Sequence, residues 1–108
     1  MSGENENNIA VFEAPTFKKV FKKLSSKDKD LIDEEIDLII KDPDIGEQKK
    51  GDLSHLWVHK FTLNKQQVLL GYSWKEEKLE LWLLELGPHE NFYTKAKSDR
   101  KNHLKKMK

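Results

Sequence analysis

The most informative absence in this 108-residue sequence is that of cysteine. Without cysteine the chain has no disulfide scaffold, no cysteine-ligated zinc ribbon and no thiol nucleophile. No apolar run approaches the roughly 20 residues of a membrane-spanning helix. The opening residues, MSGEN, also lack the basic and then apolar pattern of a secretion signal. We therefore expect a soluble, cytoplasmic protein without a membrane partner.

Several catalytic signatures are absent as well. The sequence contains no Walker phosphate-binding loop, no GxGxxG, no HExxH and no GxSxG motif. His55 and His59 are four residues apart, a spacing that pairs side chains on a helix, but their segment has the pattern of a strand. We therefore expect no metal site and no cofactor.

Charged residues and hydrophobic residues each make up 36% of the sequence. This balance predicts one domain with a small core and a strongly solvated surface. Three Trp, two Tyr and five Phe give that core bulk, which argues against wholesale disorder.

The net charge of +1 conceals an uneven distribution along the chain. Residues 1–45 carry seven basic and eleven acidic residues, whereas residues 46–108 carry thirteen basic and eight acidic ones. The last fourteen residues hold seven basic groups and one acidic group, Asp99. This separation favours a basic surface that meets an acidic partner. The alternative is that these charges only solvate helix faces.

Hydrophobic periodicity predicts an α+β domain with the order β-α-α-β-β-β-α. A β-type run at residues 9–12 is predicted as an edge strand that Pro15 terminates. Two helices follow, the second capped by Ser25. Their predicted buried residues are Phe17, Val20, Phe21, Leu24, Ile32, Ile36, Ile39 and Ile40. Three β-type runs, residues 56–63, 67–74 and 79–86, predict a small antiparallel sheet on which both helices pack.

The chain divides into three parts. Residues 1–8 are predicted as a flexible N-terminal tail, and residues 9–98 as the single folded domain. Residues 89–106 have the pattern of a polar terminal helix or a frayed tail. A basic C-terminal tail is predicted at residues 99–108, which overlap the end of this segment.

The strongest candidate for a catalytic group is His89. It follows Gly87-Pro88 at the end of the most apolar strand, where a side chain is rigidly placed yet reachable from solvent. Tyr93 lies one helical turn further on, so both side chains can share one face. The alternative is a histidine at a helix start that has no catalytic role.

Cleavage of RNA without a metal requires the residue types found here. A base must take the proton of the 2′-hydroxyl, a cation must stabilise the phosphate, and an acid must protonate the leaving oxygen. Histidine suits either proton role and lysine suits the phosphate. Because side chains alternate along a strand, either His59 or Lys60 must point toward a partly covered face of the sheet. The aromatic rings of Phe92 or Trp57 could stack on a base of the RNA.

Four segments of the second half carry a family resemblance. They are Lys49-Lys50-Gly51-Asp52-Leu53, His59-Lys60-Phe61, Leu69-Leu70-Gly71-Tyr72-Ser73 and Leu83-Leu84-Glu85-Leu86-Gly87-Pro88-His89-Glu90-Asn91-Phe92-Tyr93. These segments resemble the RelE/ParE superfamily of bacterial type II toxins, and the resemblance covers residues 9–98. Its most specific piece is the Gly-x-His-x-x-Phe-Tyr segment.

The resemblance implies a RelE-like fold and a toxin that a co-encoded antitoxin silences. RelE-type members cleave mRNA on the ribosome, whereas ParE-type members have the same fold and inhibit DNA gyrase. His89 matches the histidine that acts as acid or base in YafQ-like nucleases, and Phe92 or Tyr93 matches the aromatic residue that follows it. An antitoxin helix with acidic residues could cover the basic second half and block the site.

The lysines of the second half also match family positions. Lys60 falls where many members place a basic residue near the scissile phosphate, and Lys49 and Lys50 occupy the basic lead-in to that strand. RelE-type nucleases usually carry an arginine on the third strand, but the corresponding stretch, residues 66–71, has no basic residue. Either Lys60 or the C-terminal tail replaces that arginine, or the protein is not a nuclease.

The leading hypothesis is a ribosome-dependent mRNA endonuclease that uses metal-free general acid–base catalysis. Its predicted catalytic residues are His89, Lys60 and Tyr93, and its predicted substrate-binding residues are Lys49, Lys50, His59 and Phe92. The expected partners are the cognate antitoxin, the ribosome and mRNA. The alternatives are a non-enzymatic ParE-like inhibitor of DNA gyrase and a relative that retains only antitoxin binding.

Overall fold

The computed structural model describes residues 8–108. Its strands are β1 (Ala10–Glu13), β2 (Glu47–Gln48), β3 (Trp57–Leu63), β4 (Gln66–Lys75) and β5 (Glu80–Pro88). Its helices are α1 (Pro15–Phe21), α2 (Ser26–Lys41) and α3 (His89–Lys106), with short 3-10 turns at Gly51–Leu53 and Glu76–Lys78. The predicted tail at residues 1–8 lies, apart from Asn8, outside the described residues.

The strands form one sheet in the order β1-β5-β4-β3-β2. Strands β2 to β5 pair antiparallel with their neighbours, whereas β1 runs parallel to β5. The turn between β3 and β4 consists of Asn64 and Lys65, both with positive φ (54° and 68°), as in the type I′ turns that suit two-residue hairpins.

The predicted α+β class and the order of its main elements are confirmed, and β1 is an edge strand as expected. Two features differ from the prediction. Strand β2 has only two residues, which is too short to give any hydrophobic period. The sheet is mixed rather than antiparallel, because the direction of β1 depends on the long path of the chain between β1 and β5 and not on its own pattern.

Helices cover both faces of the sheet. On one side, which we call the α2 face, the core includes Phe17, Ile32, Ile36, Ile39, Leu70, Tyr72, Leu81 and Leu83. On the other, which we call the α3 face, it includes Leu56, Val58, Leu69, Leu84, Phe92, Ala96 and Met107. Helix α2 begins as predicted, since the Ser25 hydroxyl accepts a hydrogen bond from the Asp28 N–H at 3.1 Å.

Strand β5 contains a bulge that changes which way Glu85 points. Gly71 pairs with Glu85, but the next residue, Tyr72, pairs with Leu83, so Leu84 is an extra residue in the strand. Simple alternation from Leu83 would put Glu85 on the α2 face. Because of the extra residue, Glu85 instead lies on the α3 face, beside Gly71.

Helix α3 continues through residues 99–106, where the sequence predicts a basic tail. His103 and Met107 are each only 3% exposed, and Met107 belongs to the core on the α3 face. Arg100 Nε donates a hydrogen bond to the Asp52 carbonyl at 2.7 Å, which joins the helix to the first 3-10 turn. The sequence conceals this docking because few residues of the segment are apolar, and those few suffice to hold one face of the helix.

None of the helices described between residues 8 and 108 combines the length and the apolar character needed to cross a membrane.

Candidate active site

His89 is the first residue of α3, where the chain leaves the sheet. The N-cap residue is Pro88, which is extended (φ −71°, ψ 162°), and no side chain caps this end of the helix. The first-turn N–H groups and the positive end of the helix dipole therefore face outward. The His89 side chain is exposed beside them, so an anion at this helix end would meet the imidazole.

Tyr93 packs against His89, as their one-turn spacing predicts. The two ring centroids are 5.8 Å apart and the ring planes meet at 77°. Tyr93 is half-buried, and its ring also contacts Phe92 edge-on at 5.2 Å. These contacts restrict the Tyr93 ring, and the ring in turn limits the orientations open to His89.

Lys49 extends this row of side chains. Its Nζ lies 5.2 Å from the centroid of the Tyr93 ring and 3.0 Å from Glu47 Oε1. The hydrogen bond with Glu47 raises the pKa of Lys49, and Tyr93 adds to the rise while burial opposes it. The Lys49 N–H donates to the Leu56 carbonyl at 2.9 Å, which holds this segment next to the start of β3.

Two further lysines act on Glu47. The hydrogen bond with Lys49 is the main cause that lowers the pKa of Glu47, and the charges of Lys60 and Lys50 lower it further. Lys60 is exposed and lies two residues after the buried Val58 on β3, which puts it on the α3 face. We call the set comprising His89, Tyr93, Glu47, Lys49 and Lys60 the active-site cluster. Lys50 lies at its edge.

His59 lies on the other side of the sheet, contrary to its predicted role in substrate binding. Its Nε2 is 2.7 Å from Glu35 Oε1 on α2, and its ring stacks on Phe61 at 5.7 Å. Its side chain is only 11% exposed. The structure therefore assigns His59 to the contact between β3 and α2 and separates it from His89.

Phe92 is also unavailable for the predicted stacking on a base. It is 3% exposed and belongs to the core on the α3 face. Its ring fills the space above Gly71, where an added Cβ would lie 2.8 Å from Phe92 Cζ. Trp57, the other stacking candidate, packs on Tyr72 at 6.3 Å on the α2 face. Of the aromatic residues considered, Tyr93 alone has a place in the active-site cluster.

Comparison with protein families places the chain. Residues 11–97 match the model of the ParE-like toxin of type II bacterial toxin–antitoxin systems. The chain belongs to this family. No curated protein sequence matches the chain.

Solved structures of the E. coli RelE toxin share the fold of this ParE-like toxin. The intact E. coli RelBE toxin–antitoxin complex contains a chain with 18% identity and a TM-score of 0.61, covering 76% of this chain and 98% of that one. A mutant of E. coli RelE in the free state has 16% identity and a TM-score of 0.65, with coverages of 86% and 96%. Isolated E. coli RelE has 16% identity and a TM-score of 0.60, with coverages of 87% and 98%.

The active-site cluster gives the ParE-like toxin two kinds of chemical group on one surface. Lys49 and Lys60 supply positive charge for an anion, and His89 supplies an imidazole whose ring nitrogens can donate or accept a hydrogen bond. Glu47 partly offsets the charge of Lys49. This combination suits a phosphodiester whose cleavage involves proton transfer.

Sequence reasoning missed two sets of polar residues in the ParE-like toxin. Glu47 was missed because it lies in β2, which pairs with β3 but has no sequence period. The second set is Glu85, Asp99 and His103, which the β5 bulge and the docking of α3 bring together. Two features of the sequence could have indicated the second set. Glu85 is an acidic residue in the most apolar strand, and the helical spacing of His103 puts it on the same face of α3 as Phe92 and Ala96.

The second set lies between β5 and α3, with Glu85 and His103 buried. Burial raises the pKa of Glu85 to about 8, with Asp99 adding to the rise, and burial lowers the pKa of His103. The Thr16 hydroxyl donates to the Leu84 carbonyl at 2.6 Å, so His103 Nε2, 2.9 Å from Thr16 Oγ1, is the donor in that contact. The set is thus connected to α1 as well as to β5 and α3.

Proposed function

We propose that this ParE-like toxin is a ribosome-dependent mRNA endonuclease. The observation that carries the proposal is the contiguous row formed by His89, Tyr93 and Lys49, in which a proton-transfer group and a cation flank one aromatic ring. An exposed imidazole at an uncapped helix start, with Lys49 on the same tyrosine ring, is suited to an RNA phosphate and its 2′-hydroxyl.

The proposed reaction is an internal transfer at phosphorus. The 2′-oxygen loses its proton to a base and attacks the phosphorus, and the bond from phosphorus to the 5′-oxygen breaks as that oxygen gains a proton. The products are a 2′,3′-cyclic phosphate and a free 5′-hydroxyl. His89 performs one of the two proton transfers, which is worth on the order of 10²–10⁴-fold in rate.

The other residues of the cluster hold the substrate. Lys60 stabilises the charge on the phosphate in place of the third-strand arginine, and Lys49 and Lys50 bind the neighbouring backbone. Tyr93 positions the nucleotide, and its packing on Phe92 and His89 holds its ring in place. Glu47 keeps Lys49 in place, which makes it a positioning residue.

The ribosome supplies what the toxin lacks. With a net charge of +1, the chain has fewer cations available for phosphate contacts than a uniformly basic nuclease, so it binds free RNA weakly. A ribosome that holds the mRNA in place removes the need for tight binding. A site of action on ribosomes also puts the protein in the cytoplasm.

The proposed protein partner is a cognate antitoxin. One of the RelE structures with the same fold is that of a RelB–RelE complex, and another holds RelE with a RelB peptide. Here we infer an antitoxin segment with acidic residues that covers the basic side of α3 and the active-site cluster. Association of the pair should then slow as the salt concentration rises, and a rate independent of salt would contradict this electrostatic picture.

A brief induction experiment tests the nuclease proposal. The wild-type toxin is expressed for a few minutes, and the 5′ ends of cellular transcripts are mapped. Cuts within translated codons are expected, and His89→Ala should reduce them by about 10²–10⁴-fold while leaving antitoxin binding intact. His59→Gln is the matched histidine control and should retain cleavage, because His59 lies across the sheet.

Inhibition of DNA gyrase is the second candidate function. It is favoured by the family match, which is to the ParE-like toxin, and by the lack of a basic residue at positions 66–71. Intact messages together with broken DNA and altered plasmid supercoiling would replace the nuclease proposal with this one. Intact messages and intact DNA would leave only antitoxin binding. Cleavage that persists in His89→Ala would remove His89 from the mechanism.

A further inference from the structure

Three ionisable side chains, two of them buried, lie between β5 and α3 and are not part of the active-site cluster. Glu85 and His103 are 4% and 3% exposed, and Asp99 is half-buried. One possible ligand atom from each residue lies within 4.8 Å of the other two. Two carboxyl groups buried so close together require a proton or a cation between them.

Both carboxyl groups have a buried oxygen that meets no hydrogen-bond partner at bonding geometry among the described residues. These oxygens are Glu85 Oε2 and Asp99 Oδ2, and both are inaccessible to solvent. Buried carboxyl oxygens are normally hydrogen-bonded or bound to a cation. A proton shared between Glu85 and Asp99, whose hydrogen bond helps to raise the pKa of Glu85, is one way to satisfy these oxygens, and a cation held together with the His103 imidazole is the other.

The spacing of the atoms fits a small metal ion. Glu85 Oε2 lies 3.6 Å from His103 Nε2. In a tetrahedral zinc site with bonds of about 2.0–2.2 Å, two ligand atoms lie about 3.4 Å apart. The Glu85 and His103 atoms thus already have the separation of neighbouring ligands, and an oxygen of Asp99 lies within 4.8 Å of both.

We propose that Glu85, Asp99 and His103 form a binding site for one divalent transition-metal ion, with Zn²⁺ as the best match. One imidazole and two carboxylates form a mixed nitrogen and oxygen set of the kind that Zn²⁺ takes, whereas Mg²⁺ and Ca²⁺ require more oxygen ligands. The proposal does not rest on the nuclease function, since the ion would join α3 to β5 and take no part in RNA cleavage. The sequence gives no clear sign of this site, because Glu85 lies fourteen residues before Asp99 on a different element, and the four-residue spacing of Asp99 and His103 brings them together only where the segment is helical.

An entry route and a fourth ligand position are both present. Thr16 and His103 help to line a cleft of about 420 Å³ between the start of α1 and the end of α3. An ion at His103 Nε2 would replace the 2.9 Å hydrogen bond to Thr16 Oγ1 and shift the ring proton to Nδ1. The Thr16 hydroxyl or a water molecule from the cleft would complete the coordination.

The test is a titration of the purified full-length toxin with ZnCl₂ by isothermal calorimetry, with thermal unfolding in parallel. We expect one Zn²⁺ per chain and a rise in Tm that grows with the Zn²⁺ concentration. Glu85→Gln and Asp99→Asn keep the shape of each side chain and should each weaken binding at least about tenfold. His89→Gln and His59→Gln are the controls and should bind as the wild type does.

A spectroscopic readout keeps the test decisive if a variant does not fold. Co²⁺ bound to the wild-type chain should give the visible absorption of a four-coordinate site, and Zn²⁺ should displace it at one equivalent. Failure of the wild type to bind Zn²⁺ at millimolar concentration would overturn the proposal. So would affinity that is unchanged in both Glu85→Gln and Asp99→Asn, or that is abolished in His89→Gln.

Discussion

Tyr72 is the residue that connects the middle of the sheet to the loop after α2. Its side chain is fully buried, its hydroxyl donates to the Pro43 carbonyl at 2.6 Å, and it accepts from the Gly46 N–H at 2.9 Å. Gly46 is needed for this approach, because an added Cβ would lie 2.7 Å from the Tyr72 hydroxyl oxygen. The loop leads directly into β2, so Tyr72 helps to set the position of Glu47 and Lys49.

Tyr72→Phe is predicted to destabilise the fold by about 1–3 kcal/mol, because the Pro43 carbonyl and the Gly46 N–H lose their buried partner. Burial raises the pKa of Tyr72 to about 12. Since an unfolded tyrosine ionises near pH 10, the folded wild type retains a proton that the unfolded chain loses, and the stability from Tyr72 falls as the pH rises from about 10 to 12. Urea unfolding of both proteins at pH 8 and pH 11 measures this, and a wild-type advantage that is no smaller at pH 11 would contradict it.

Helix α3 is the element that unites the two polar groups of the molecule. Its first two turns carry His89 and Tyr93, and its later turns carry Asp99 and His103. Its docking depends on a few apolar residues at its inner face, among them Phe92, Ala96 and Met107. The position of the active-site cluster therefore depends on residues at the far end of the same helix.

Met107→Ala is predicted to lower the free energy of unfolding by about 2–4 kcal/mol, since Met107 is buried and its removal leaves a cavity at the end of α3. Lys105→Ala, two residues earlier and exposed, is the control and should change stability by no more than about 0.5 kcal/mol. Urea unfolding gives both values. Equal stability of the two variants would show that the last turn is not docked.

In the folded toxin, the acidic first half and the basic second half of the chain place their helices on opposite faces of the sheet, so one face is more acidic and the other more basic. Helix α2 carries six acidic and three basic residues, and α3 carries six basic and two acidic ones. The two helices pack on opposite faces of the sheet, so the basic side is also the side of the active-site cluster. This arrangement gives the toxin one basic face, on the side where the proposed RNA substrate would bind, even though its net charge is close to zero.

Two double variants with the same net charge test this orientation. Lys97→Glu with Lys101→Glu reverses exposed charges on α3, and Lys27→Glu with Lys41→Glu does so on α2. We expect the α3 double variant to weaken ribosome binding far more than the α2 double variant. It should also reduce the slope of log affinity against log salt concentration by about 0.7–0.9 for each phosphate that it no longer neutralises. Binding measured over a range of salt concentrations decides this, and equal effects of the two pairs would show that only net charge matters.

Local patterns in the sequence are enough to establish the kind of fold, the family and the central pair of the candidate site. Hydrophobic periods of two and of about 3.6 residues locate most of the elements, because burial of one face imposes them. The spacing of His89 and Tyr93 is a local property of one helix, so their contact could be predicted from four residues of separation. The same reasoning identifies Ser25 as a cap, since a cap and its partner N–H are neighbours in the chain.

Which of the remaining candidates meet depends on tertiary packing. Strand parity alone leaves His59 and Lys60 as alternatives, and the packing of α2 against one face of the sheet separates His59 from the site. From the sequence alone, the ring of Phe92 could either pack in the core or stack on a base. In the structure it fills the space above Gly71 and is therefore part of the core. The bulge in β5 and the docking of α3 bring Glu85 to Asp99 and His103, because contacts between distant segments depend on register and packing that no local pattern records.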